Sequence, residues 1–118
     1  MSDLPILDPR PLHELLDLGG SPELVHELIA LFEEDVPLRL AALKAALEAA
    51  DATQAMMEAH QLKGALSNMG LVRFAELASR IEAQARDGQM DRAPGMAEGF
   101  SVAYDEALQA LRAAYPRS

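Results

Sequence analysis

Apolar side chains recur along this chain at spacings of three and four, interrupted by clusters of turn-forming residues. Val25, Leu28, Phe32, Val36, Leu40, Leu43 and Leu47 keep one such rhythm, the period of a helix with one face in a core. Ser21-Pro22 stands ahead of them as a cap followed by a first-turn proline. Pro37 falls inside the run and predicts a kink near Glu33, whose carbonyl loses the bond that a proline cannot donate. Asp51 then caps another helix, with Gln54 placed to complete a capping box. Its apolar residues Ala55, Ala59, Leu62, Leu66 and Met69 are spaced four, three, four, three, and Gly70 supplies a left-handed stop. Leu71, Phe74, Leu77, Ala78, Ile81 and Ala85 form the next stripe, which ends at Gly88. The last is entered loosely through "DRAPGMAEG" and carries Phe100, Tyr104, Ala107, Leu108, Leu111 and Tyr115 before Pro116. A short helix precedes all of these, opened by Asp8-Pro9 and closed by Gly19-Gly20.

No segment alternates with the period of a strand. The pattern predicts an all-α protein: an antiparallel up-and-down four-helix bundle over about residues 22–115, with a short additional N-terminal helix at about 9–18. The 118 residues are expected to form a single domain, 1–118. Composition sharpens this reading. Half of the residues are apolar and only 4% aromatic, which suits helices packed through alanine and leucine. No apolar run is long enough to span a membrane. The N-terminus carries no signal core and the short ends read as those of a free-standing protein; with no cysteine in the chain, a cytoplasmic address is expected. The net charge of −9 opposes binding to nucleic acid or anionic lipid. A monomer is the expected state for such a bundle.

The segment "AHQLKGALSNMG", residues 59–70, breaks the pattern. Glycine in a helix interior costs roughly 1 kcal/mol relative to alanine, yet Gly64 sits in mid-helix. At about 100° per residue, His60 points roughly 140° away from the centre of the apolar stripe, toward water. Lys63, Gly64, Ser67, Met56 and Met57 share that outer face. Gly64, at i+4, clears the space beside the imidazole. Lys63, at i+3, brings an ammonium within reach of an anion held on the ring. Met56 and Met57 are apolar, adaptable and outward-pointing, as suits a docking rim. A nucleophile, room, a cation and an apolar rim describe a phosphoryl acceptor on a docking face. His13 and His26 make no ligand pattern with His60 and read as ordinary surface or boundary residues; no metal site is expected.

These residues resemble the signature of histidine-containing phosphotransfer (HPt) domains, H-x-x-K-G on a four-helix bundle. "LIALFEEDVPLRLAALKAAL" resembles the family's preceding helix and "LASRIEAQARDG" its following one, so the similarity runs from about residue 12 to 112. The resemblance implies a phosphorelay intermediate. His60 would accept a phosphoryl group from an aspartyl phosphate of a response-regulator receiver domain and pass it to another. Lys63 would stabilise the phosphate, and Gly64 would admit the receiver. Many members carry a Gln or Glu 22 residues after the histidine that orients its ring; here that residue is Glu82, placed by the helix pattern at the boundary of its stripe. Arg86, one turn on, is positioned to pair with Glu82 or approach the phosphate. Receivers and a sensor or hybrid histidine kinase would be the partners.

The chemistry agrees with the pattern. An imidazole, with an unperturbed pKa of about 6.5, is substantially neutral and nucleophilic near pH 7. No phosphate-binding loop or nucleotide fold is present, so the chain is expected to carry phosphate without being an enzyme. It offers no carboxylate cluster for Mg²⁺, which the receiver would supply; the chain needs no cofactor of its own. The alternative is an inhibitory or scaffolding bundle that docks on receivers or kinases without exchanging phosphate.

Overall fold

The computed structural model describes residues 4–91, 95 and 98–116. Among these are five helices and no strand: α1 Arg10–Asp17, α2 Pro22–Glu48, α3 Ala52–Asn68, α4 Val72–Arg86 and α5 Phe100–Ala114. The loose entry expected through "DRAPGMAEG" lies largely outside the described residues. The four long helices form the bundle, and α3 and α4 make its most intimate pair. The 27 residues of α2 run unbroken past Pro37, at 1.5 Å per residue nearly the 45 Å length of the molecule.

The starts of α2 and α3 follow the expected caps, whereas α1 begins from Pro9 rather than Asp8, and Pro9 offers no side-chain cap. Ser21 Oγ accepts the Leu24 N–H, and Asp51 Oδ1 accepts the Gln54 N–H. Asp8 Oδ1 takes the Arg10 N–H at the head of α1. The capping box at Asp51 is only half formed, because Gln54 Nε2 donates to Glu58 instead of reaching back. The reason is local. The Asp51 N–H already donates to the Ala46 carbonyl at the end of α2, so Gln54 has no donor to receive.

That same bond belongs to a stop used by four helices. A residue with positive φ follows α1, α2, α3 and α4, and the residue after it donates back to a carbonyl five positions earlier. Glycine supplies three of these stops, but α2 uses Ala50, at φ 52. Nothing in the sequence marks it. Gly70 is the most constrained of the four. Its φ is 76, and a Cβ there would stand 2.1 Å from the Asp8 carbonyl oxygen. The Asp8 N–H also donates to the Gly70 carbonyl at 2.7 Å. Residues 4–9 are thus strapped across the α3–α4 turn. Gly70→Ala is expected to destabilise the fold by about 3 kcal/mol, from left-handed strain plus displacement of the strap. A denaturant melt with an unchanged midpoint would contradict this reading.

The core contains the expected stripes. Ala55, Ala59, Leu62, Leu66 and Met69 of α3 are buried, as are Phe32, Phe74 and Phe100. Phe32 stacks on half-buried Tyr104, ring centroids 5.2 Å apart, tying α2 to α5. With its five-residue stripe inside, α3 has no freedom to rotate, and its opposite face must project to solvent.

Candidate functional site

His60 stands on that projecting face with 66% of its side chain exposed. One turn further, Gly64 is open: a Cβ built there would meet nothing within 4 Å. Packing inside the chain therefore gives no reason for a glycine in mid-helix, and the gap beside the ring faces outward. Met57 is exposed, whereas Met56 is half-buried and packs against the edge of the core. The paired methionine rim reduces to Met57. Ser67 is exposed, and among the described residues its hydroxyl makes no hydrogen bond.

Glu82 departs from its expected place. It is buried, with 6% of its side chain exposed, rather than at a boundary. Ala75, Ala78 and Ala85 lie on the same side of α4 and let it close tightly onto α3, and this covers the carboxylate. A buried charge is tolerable only when paired, and Glu82 has three partners. His60 Nδ1 lies 2.9 Å from Oε2, Lys63 Nζ 2.9 Å from Oε1, and Arg86 Nη2 2.9 Å from Oε2. The hydrogen bond from Lys63 is the largest influence holding the carboxyl below its ordinary pKa; burial opposes it, and His60 adds to the lowering.

This arrangement fixes the histidine chemically. An ionised carboxylate only accepts hydrogen bonds, so in the neutral ring Nδ1 carries the hydrogen and donates it to Glu82. Nε2 keeps its lone pair. Lys63, 35% exposed, is held on Glu82 in this state, beside the ring. Arg86, 59% exposed, pairs with Glu82.

Because the folded pKa of Glu82 is depressed, the stability it contributes is present above the ordinary carboxyl pKa of about 4.3 and is lost as pH falls through the folded value. Glu82→Gln is therefore expected to cost on the order of 1 kcal/mol at pH 7, its cationic partners being screened by solvent. Below pH 4 that difference shrinks. Melts at pH 7 and pH 3.5 showing the same difference would contradict the assignment.

His13 Nδ1 lies 2.9 Å from the Pro9 carbonyl and 3.0 Å from Tyr115 Oη, which joins α1 to the end of α5. No group of three or more metal-ligating side chains occurs among the described residues. No helix there is long and apolar enough to cross a membrane. The sequence pattern did not foresee the strap of residues 4–9. Arg73 anchors its start, donating to the Leu4 carbonyl at 2.9 and 3.1 Å and pairing with Glu106 of α5. These contacts link residues far apart in the chain, and no local motif announces them.

The sequence model of the Hpt domain matches residues 27–114. The aerobic respiration control sensor protein ArcB of Escherichia coli K12 is 32% identical over 77 residues, which cover 65% of this chain and 10% of that protein. The same values hold for ArcB of Shigella flexneri. The chain thus spans about a tenth of the length of these sensor proteins. The crystal structure of histidine-containing phosphotransfer protein B (HptB) from Pseudomonas aeruginosa PAO1 superposes with a TM-score of 0.77 at 32% identity, covering 98% of this chain and 99% of that one.

Proposed function

Because this chain belongs to the Hpt domain family and serves histidine phosphotransfer in a phosphorelay, we propose that His60 is its phosphoacceptor. The supporting observation is one ring with its two nitrogens differentiated: Nδ1 bound to a buried carboxylate, Nε2 exposed beside an open helix face. Nε2 attacks the phosphorus of an aspartyl phosphate on a receiver domain. The N–P bond forms, the P–O bond to the aspartate breaks, and its electron pair leaves with the carboxylate. No proton need move. The ring becomes cationic, and Glu82 stabilises that charge through Nδ1–H. Lys63 exchanges Glu82 for the incoming phosphoryl oxygens, and Arg86 remains on Oε2 to keep the buried carboxylate paired.

Phosphoryl transfer depends chiefly on in-line placement and charge neutralisation. The chain supplies the nucleophile and one cation, and the receiver supplies Mg²⁺ and the remaining charge. We assign the chain as a carrier with no nucleotide site of its own, acting as a cytoplasmic monomer. Hpt domains partner with receivers and histidine kinases, and Gly64 and Met57 form the approach for such a partner here.

The test is transfer. A receiver charged from a small phosphodonor is mixed with the protein, and acid-labile, base-stable label is expected on the bundle. Stable complexes without label across a panel of receivers would replace this reading with that of a docking scaffold.

A further inference from the structure

The crevice between α3 and α4 does not end at the His60–Glu82 pair. Past Lys63 it opens into a cavity of about 290 Å³, with Lys63 and Ser67 on one wall, Glu76 and Ser79 on the other, and Leu4 and Asp8 of the strap at its far end. The strap is a built feature. It is pinned at Asp8 by Gly70 and at Leu4 by Arg73, and Leu7 between them packs against the core. It also lies outside residues 27–114, the stretch that the Hpt sequence model matches.

Partner contact reaches this far. Ser67 is seven residues beyond His60, about 10 Å along the helix. A partner covering about 800 Å² of this chain, centred on His60, reaches about 16 Å in every direction. A partner of that size closing over the imidazole reaches the Ser67 wall of the cavity and, at its margin, Asp8 of the strap, which bonds Gly70 about 15 Å along the helix. The lining decides what fits. The Ser67 and Ser79 hydroxyls make no hydrogen bond among the described residues. Glu76 binds Arg80 through Oε1, which leaves Oε2 able to accept, whereas both oxygens of Asp8 are held by Arg10. The ammonium of Lys63 is turned toward Glu82. The walls are thus rich in acceptors, in a chain of net charge −9.

We propose that this cavity receives a lysine or arginine side chain from the receiver, and that the strap of residues 4–9, as its far wall, helps select which receiver is accepted. The inference rests on the phosphotransfer reading and concerns only how its partner is recognised. A donor-rich side chain entering here bonds the two hydroxyls and Glu76 Oε2.

The experiment measures transfer rate against receiver concentration, using a receiver that labels the wild-type protein. Glu76→Arg reverses the charge of the cavity wall, and Ser67→Tyr fills the cavity from α3. Each is expected to raise the half-saturating receiver concentration at least tenfold while the maximal rate changes less than threefold and the thermal melt is preserved. Glu48→Arg, the same change at the exposed end of α2, is expected to leave both parameters within twofold. Unchanged half-saturation in the two cavity variants overturns the proposal, as does an equal rise in Glu48→Arg, which would mark a general charge effect. Failure of the wild-type protein to accept label from any receiver refutes the phosphotransfer reading itself, a result distinct from either.

Discussion

His60→Gln is expected to accept no label from any charged receiver, while its melting curve stays close to that of the wild-type protein. The two halves of this result have separate causes. Two thirds of the side chain is in water and contributes nothing to the core, so its removal forfeits one hydrogen bond to Glu82. Such a bond contributes about 1 kcal/mol. Glutamine can replace it through its amide N–H, which keeps the carboxylate paired. What glutamine lacks is a nitrogen lone pair able to attack phosphorus. The loss of transfer is therefore complete rather than partial. Residual acid-labile label on the variant would place the acceptor elsewhere; His13 and His26 are the other histidines.

Gly64→Gln is expected to move stability and transfer in opposite directions. A Cβ at this position meets no neighbour within 4 Å, so the substitution carries no internal clash. It removes the glycine penalty and should stabilise the helix by roughly 0.5–1 kcal/mol. The same side chain fills the space one turn beyond the imidazole, where an aspartyl-phosphate pocket has to close. Displacing reacting atoms by about 1 Å costs on the order of a hundredfold in rate, and a side chain of this length displaces them further. Transfer should fall at least a hundredfold, with Gly64→Ala intermediate at about tenfold. A more stable Gly64→Gln protein transferring at the wild-type rate would show that the open face serves no partner.

The sequence pattern resolved what is periodic or local. The apolar stripes identify the buried residues of α3, and the four-three spacing alone turns His60 to solvent and Met69 inward. The caps at Ser21 and Asp51 and the stops at Gly19, Gly70 and Gly88 act where their chemistry puts them. Other features, the strap of residues 4–9 among them, escaped because each depends on contacts between distant residues or on competition for a backbone group. Ala50 adopts a left-handed conformation because α3 must begin at once, and its methyl group bears the strain in place of a hydrogen. Gln54 loses its capping partner to the end of α2. The burial of Glu82 follows from how closely an alanine-lined α4 approaches α3, a distance that helix periodicity does not contain. Lys63 illustrates the same limit. Its turn of the helix was legible, but its engagement with Glu82 rather than with open solvent was not.

On the proposed mechanism, one nitrogen of the His60 ring does the chemistry because the buried Glu82 carboxylate occupies the other. Phosphorus–nitrogen coupling measured by NMR, on ¹⁵N-histidine protein phosphorylated by a charged receiver, tests it directly. The phosphorus signal is expected to couple to Nε2 of His60, with Nδ1 still protonated and shifted by its bond to Glu82. A signal coupled to Nδ1, or to a nitrogen of another residue, would contradict it.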